Sequence, residues 1–285
     1  MSASHLIYAM LTHRGRVRQG NEDTCAAAPE MGAYVVCDGM GGAAAGEIAS
    51  NLAADTFLAY LSAESHGKAR QTDKAQGRLN AAIQAANHAV YQQSRQSRQL
   101  AGMGTTLVAL LHAPIKNGNG TASNGKRSVT NHTNSRSTDP PTLWLGHVGD
   151  SRCYRLRRGT LEQLTSDHSL VEEQLRAGQI TAEQAAESPM RNLITRAIGS
   201  QATVEAEIQS HCPQPSDLYL LASDGLTHEL DDGDIAEVLG AIPAERTVAG
   251  LTTACETLIT AANRNGGNDN ITVLLVAVTP DLADD

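Results

Sequence analysis

Apolar residues recur at helical spacing in two stretches of the first hundred positions: Ile48, Leu52, Phe57, Leu58 and Leu61 after Gly46, then Leu79, Ile83, Ala86 and Val90. Each set forms one stripe along a helix, and such a stripe must lie against something flat. Short apolar runs supply that partner at Ala33 to Cys37, Thr106 to Leu111, Leu143 to Val148, Leu218 to Ala222 and Ile271 to Val278, all read as strands. A third helix carries Leu251, Cys255, Leu258 and Ala262 and stops at Asn265-Gly266-Gly267, where glycine fits the left-handed position that closes a helix.

Two stretches break this pattern. From about 116 to 139 the chain reads KNGNGTASNGKRSVTNHTNSRSTD, with Ala122 and Val129 as its only aliphatic residues. It buries too little to offset its ordering entropy and is expected to be a disordered insertion between neighbouring strands. Long surface insertions add little closure cost, so it need not mark a domain boundary. From Asp167 to Gly199 helical propensity returns but is interrupted at Gly178 and Pro189, and Ser169 with Glu172 has capping-box spacing. Short helices outside the main body, forming a flap, are expected there.

Composition narrows the class. A chain of 285 residues, 41% hydrophobic and 19% charged, has room for a sizeable core and is neither a disordered nor a fibrous chain. Its 22 Lys and Arg against 31 Asp and Glu give a net charge of −9, which argues against a nucleic-acid groove but leaves room for a local basic pocket for one phosphate. No apolar run reaches the roughly 20 residues that cross a bilayer, and the start carries its positive charges after the apolar stretch, so a soluble cytoplasmic protein is expected. Five scattered cysteines without a CxxC pair speak against a disulfide framework and a zinc site.

The candidate chemistry is carried by aspartates at strand ends. Asp38 follows one strand and precedes Gly39, Asp150 follows another, Asp224 follows a third and precedes Gly225, and Asp269 stands just before the last. If these carboxylates converge they need a positive partner, and oxygen donors without a His/Cys cluster suit a hard divalent ion. Any single Asp-Gly is more often a turn. Near the start, Arg18 and Glu22 would share a side if their segment runs extended, bringing a phosphate-shaped fork beside a carboxylate, although taken alone such a pair is more often a surface salt bridge. The glycine-rich pieces at Gly39 to Gly42 and Gly102 to Gly104 complete no nucleotide-binding motif. No G-x-S-x-G elbow is present, and His147 and His168 read as structural histidines.

Eight ordered motifs carry a resemblance: RQGNED (Arg18 to Asp23), DGMGG (Asp38 to Gly42) with Gly46-Glu47, MGTT (Met103 to Thr106), VGDSR (Val148 to Arg152), TSDH (Thr165 to His168), RNLITRAIG (Arg191 to Gly199), SDGL (Ser223 to Leu226) and GNDNIT (Gly267 to Thr272). Together they resemble the metal-dependent serine/threonine phosphatases of the PP2C type, in their bacterial branch, over nearly the whole chain from His13 to Val278.

The resemblance implies an α+β fold, a four-layer αββα sandwich of two antiparallel β-sheets flanked by helices with a small flap, all within one domain spanning 1–285. It implies two Mn²⁺ or Mg²⁺ ions and a third, looser one. Asp38 would bridge two ions, Gly39 would give its carbonyl to one of them, Asp224 and Asp269 would hold the other, and Glu22 would bind a metal water. Asp150 and Asp224 match the ligands of the third ion, and Arg18 takes the phosphate-clamping, catalytic position. The reaction implied is direct attack of a metal-bridging hydroxide on phosphoserine or phosphothreonine. Many relatives read DGMGGH; Ala43 stands here in place of that histidine, so the leaving oxygen's proton must come from elsewhere. The implied partners are phosphorylated proteins, among them a Ser/Thr kinase, its substrates and a forkhead-associated-domain protein, with the phosphatase itself a monomer that enters no membrane and binds no nucleic acid. The competing readings are a phosphatase-like binding module of weak activity and a two-metal esterase or nuclease.

Overall fold

Alternate residues of the central strands belong to different layers of the structure, a computed structural model that describes residues 5–66, 75–113 and 142–279. The polar insertion expected at 116–139 lies outside the described residues. In chain order the elements are β1 (His5–His13), β2 (Asp23–Ala28), β3 (Ala33–Met40), α1 (Ala43–His66), α2 (Ala75–Ser94), β4 (Gly104–Thr105), β5 (Leu107–Ala113), β6 (Thr142–Val148), β7 (Arg152–Arg157), β8 (Thr160–Gln163), α3 (Leu170–Arg176), α4 (Ala182–Ala186), β9 (Glu207–His211), β10 (Leu218–Ala222), α5 (Asp224–Thr227), α6 (Asp232–Gly240), α7 (Val248–Asn265) and β11 (Ile271–Thr279).

One sheet runs β1-β11-β10-β7-β8 and the other β2-β3-β5-β6-β9, with β4 added beside β3. Every pairing is antiparallel. On β3, Tyr34 and Val36 enter the layer between the sheets, where Val108, Leu110, Tyr219, Leu221, Leu274 and Val276 meet them. Their neighbours Ala33, Val35 and Cys37 face the other way, onto α1 and α2. Strand β11 divides likewise: Val273, Leu275 and Ala277 meet the α7 stripe of Leu251, Cys255, Leu258 and Ala262. Burying each such Leu, Ile or Val contributes roughly 1.5–3 kcal/mol before entropy is counted. The αββα sandwich and the stripes behind it are therefore as the sequence implied.

Small residues set how near the helices come. Alanines 45, 49, 53 and 54 bring α1 onto its sheet, and a Cβ on Gly146 would press Leu79 and Ile83 of α2 at 2.9–3.2 Å. The glycine expected to close α7 is Gly267, left-handed at φ +60° and donating its amide to the Ala262 carbonyl at 3.1 Å, while Gly266 at φ 160° is extended. A strand start differs from the sequence reading. The strand expected from Thr106 begins at Leu107: Thr106 stands at the junction of β4 and β5, its amide on the Asp38 carbonyl and its hydroxyl accepting the Asp38 amide.

Strand direction then places the acids. Strands β3 and β6 both run antiparallel to β5, so their carboxyl ends share an edge. Strand β10 runs antiparallel to β11, so the end of one meets the start of the other. Asp38 lies in β3 two residues before its end, since the strand runs on past the expected Cys37 to Met40, while Asp150 and Asp224 stand just beyond β6 and β10 and Asp269 just before β11.

Candidate metal centre

A cavity of about 270 Å³ opens at this edge, lined by Arg18, Glu22, Asp38, Gly39, Asp224 and Asp269 together with Met40, Gly41, Gly42, Asn192, Ile194 and Asn270. Six of the seven residues expected from the sequence thus lie on one wall. The seventh, Asp150, sits behind them, buried and close enough to raise the charge cost of ionising Asp38. Residues 18–22 form no strand, so Arg18 and Glu22 meet the cavity through a loop rather than by strand alternation.

Each carboxylate rests on a fixed support. The Asp38 amide donates to Thr106 Oγ1 at 2.9 Å, and the Asp38 carbonyl accepts from Thr105 Oγ1 and the Thr106 amide, both at 2.8 Å. Thr106 Oγ1 in turn meets Ser151 Oγ at 2.7 Å, tying β3 to the Asp150 turn. Asn270 accepts the Glu22 amide at 2.8 Å and donates to the Arg14 and Gly20 carbonyls, which fixes the Arg18 loop. Ser223 donates to Asp23 Oδ2 at 2.7 Å and accepts the Thr272 amide at 2.9 Å, holding the turn before Asp224. His228 Nδ1 approaches Asp224 Oδ2 at 3.6 Å. Close approach explains two glycines: a Cβ on Gly39 would enter the carbonyls of Gly46 and Glu22, and one on Gly46 would overlap the Glu22 carboxylate.

The electrostatics call for a cation. Burial, then Asp23, Asp224 and Asp150, push the Asp38 carboxyl far above its ordinary range. Burial and Asp224 raise Asp150 to about 8. Asp269 is raised by burial and Asp224 and partly restored by the Asn270 amide and by Arg18, whose Nη2 lies 2.6 Å from Asp269 Oδ2. Buried oxygens Asp150 Oδ1 and Asp224 Oδ1 have no hydrogen-bond partner, and among the described residues Arg18 is the only arginine or lysine that pairs with the four aspartates. Carboxylates crowded in this way, with one guanidinium at the rim, fit hard divalent ions bound by oxygen.

A second cluster invites a metal and does not suit one. His147, His168 and Glu207 lie together, with the imidazoles stacked at 4.6 Å. The Gly149 amide donates to His168 Nδ1 at 3.1 Å, so neutral His168 carries its proton on Nε2 and offers no lone pair there, and Arg196 Nη1 lies 3.4 Å from that nitrogen. Burial, His147 and Arg196 lower His168 to about 4. Both histidines fasten the root of the 167–199 segment: His147 Nε2 reaches the Ser166 carbonyl at 2.9 Å, and the Thr195 amide donates to the His168 carbonyl at 2.8 Å.

Asp23, Ser50, Thr105, Thr106, Asn192, Ile194 and Asn270 support or line the site without having been singled out. Asp23, Thr105, Thr106, Asn192, Ile194 and Asn270 lie inside motifs quoted above, which is the signal that could have found them. Ser50, which donates to the Glu22 carbonyl at 2.5 Å, sits within α1 and has no such signal.

Two antiparallel sheets between helices, with a carboxylate edge built for divalent ions and an arginine at its rim, define a metal-dependent hydrolase of anionic substrates. The sequence profile of the family described as Protein phosphatase 2C matches residues 12–121. The serine/threonine phosphatase stp of Listeria monocytogenes is 36% identical over 275 residues, which cover 93% of each chain. The crystal structure of the Mycobacterium tuberculosis serine/threonine phosphatase PstP/Ppp superposes with a TM-score of 0.76 at 35% identity, covering 96% of this chain and 99% of that one. A structure of the PstP catalytic domain in complex with two manganese ions matches at a TM-score of 0.73 and 33% identity, covering 98% and 100%. The chain belongs to the PP2C-type serine/threonine protein phosphatases.

Proposed function

We infer that this chain is a metal-dependent protein serine/threonine phosphatase that works as one catalytic domain. The observation that carries the reading is the buried meeting of Asp38, Asp150 and Asp224, next to Asp269 and Arg18. In this reading Asp38, Asp224, Asp269, the Gly39 carbonyl and Glu22 hold two Mn²⁺ or Mg²⁺ ions, and Asp150 with Asp224 holds a third more loosely. When bound, such ions supply Lewis acidity, acidifying a water and offsetting phosphoryl charge.

The chain's own groups do the rest. Arg18 presents a planar fork to two phosphoryl oxygens, a geometry that lysine cannot reproduce. Its contact with Asp269 keeps the guanidinium at the cavity rim, where an arriving phosphate meets it. Asn192 and Ile194 of the flap complete the lining of the cavity. Among the described residues the cavity lining contains no His, Lys, Tyr or Cys. Thiolate chemistry has no nucleophile there, and burial holds the thiols of Cys37 and Cys153 well above their ordinary range.

The substrates are phosphorylated proteins, and a Ser/Thr kinase with its targets, including a forkhead-associated-domain protein, is the partner set that the family resemblance supports. Among the described residues no helix is long and apolar enough to cross a membrane.

The test is turnover of para-nitrophenyl phosphate and a phosphothreonine peptide with EDTA and then added Mn²⁺ or Mg²⁺. The expected outcome is metal-restored hydrolysis of both, with Arg18→Ala raising KM more than it lowers kcat. Folded protein that hydrolyses neither with any metal would favour the binding-module reading instead.

A further inference from the structure

Beside the metal centre lies a second, shallower groove of about 390 Å³, lined by His13, Arg16, Ile259, Thr260, Asn263 and Arg264. The same two loops build both cavities. One supplies Arg16 to the groove and Arg18 and Glu22 to the acidic cavity. The other descends from Asn263 and Arg264 to Asp269 and Asn270, and the Arg16 amide locks the two together by donating to the Gly267 carbonyl at 2.7 Å.

The groove is cationic on a chain of net charge −9. Among the described residues no carboxylate pairs with Arg14, Arg16 or Arg264. Three of its side chains are arranged as donors. The Gly15 amide donates to His13 Nδ1 at 3.0 Å, which leaves the proton of neutral His13 on Nε2. Arg16 gives one Nη1 hydrogen to the Asn263 carbonyl at 3.3 Å and keeps its other N–H groups. Arg264 is exposed in the last turn of α7. Capping the negative end of α7 accounts for part of this, since that end carries only about half an elementary charge. Two guanidiniums exceed it, and Glu229, the carboxylate seated on this loop, is engaged by the Asn268 amide and side chain at 3.0 and 2.8 Å rather than by either arginine.

We propose that this groove is a second subsite for the protein substrate, binding the carboxylate of an acidic residue close to the phosphorylated serine or threonine. The proposal rests on the phosphatase reading and names the substrate class within it. Arg16 and Arg18 are two residues apart, so their Cα atoms lie within about 7 Å. An extended peptide advances about 3.3 Å per residue. A phosphate at Arg18 therefore puts the groove about two to four residues away, on one side of the phosphorylated position only.

The experiment uses the full chain with Mn²⁺ and an otherwise neutral phosphothreonine peptide in which one glutamate is moved through the flanking positions. Exposed ion pairs are each worth a factor of about two to five, so one glutamate engaging two arginines raises kcat/KM roughly 4- to 25-fold. The preference should be confined to one side and shrink as salt is added. Either Arg16→Ala or Arg264→Glu should lower the ratio of acidic to neutral peptide toward one, whereas Arg158→Glu, at the far hairpin tip, should leave it intact. Equal turnover of all peptides by the wild type, or a ratio that survives both groove variants, overturns the subsite. If the wild type also fails to turn over para-nitrophenyl phosphate, the phosphatase reading falls first and takes the subsite with it.

Discussion

Gly46→Ala sets helix propensity against the geometry of the metal centre. Gly46 lies in α1, where alanine is ordinarily better by about 0.8–1 kcal/mol. Here the new Cβ would overlap the Glu22 carboxylate and sit 2.9 Å from the Gly39 carbonyl carbon. The carboxylate, at the end of a flexible side chain, swings away cheaply; the backbone contact costs about 1–3 kcal/mol, as overpacking usually does. The balance is a loss of about 0–2 kcal/mol, or a fall in Tm of no more than roughly 8 °C. The larger effect falls on metal. Displacing a group that orients a metal's coordination sphere typically costs 10–100-fold in affinity, so calorimetric titration should show Mn²⁺ binding weaker by about that factor. Glu22→Gln, which has no such overlap, should match the loss of affinity at nearly wild-type Tm. A Gly46→Ala protein that binds Mn²⁺ like the wild type and melts higher would refute this placement of Glu22.

Three further outcomes are expected. Thr106→Val removes the acceptor of the buried Asp38 amide and the partner of Ser151, so scanning calorimetry should show about 1–3 kcal/mol less stability, and Mn²⁺ affinity should fall with it; unchanged values for both would mean that Thr106 does not position Asp38. His168 is held near pKa 4 by burial, His147 and Arg196, with Glu207 opposing, while an unfolded histidine titrates near 6.5. The unfolded chain then binds more protons between those values, so stability declines as pH falls from about 6.5 to about 4; in Mn²⁺-loaded protein His168→Gln should flatten that part of the difference curve, and parallel curves would contradict the assignment. Leu193→Ser on the exposed flap should slow phosphopeptide turnover more than that of para-nitrophenyl phosphate, equal effects counting against substrate selection by the flap.

Much of the architecture was legible because burial is two-sided. The stripes of α1, α2 and α7 and the runs at β3, β5, β6, β10 and β11 stand out because each must satisfy a sheet and a helix layer at once. Strand β1, HLIYAMLTH, is harder: Leu6 and Tyr8 pack between the sheets while Ile7, Ala9 and Leu11 pack toward α7, so it shows no alternation. Strand β2 is an edge of small side chains, DTCAAA, and α6 buries only Ile235 and Leu239, too few to set a period. At the site, the aspartates could be read because carboxylates beside glycine at strand ends are unusual as a set. Their supports were half legible: Thr106 and Asn270 stand in recognisable motifs, but that they hold the backbone amides of Asp38 and Glu22, distant in sequence, is a pairing that only the folded chain reveals.

The measurement closest to the central claim determines bound Mn²⁺ and phosphate release from a phosphothreonine peptide on the same samples of wild type and Asp224→Asn. If Asp224 joins the ions to the reaction, the variant should remain folded, bind less Mn²⁺ and lose hydrolysis in step with it, and EDTA should silence the wild type reversibly. Full hydrolysis in EDTA, or an Asp224→Asn protein that binds Mn²⁺ and turns over as the wild type does, would contradict it.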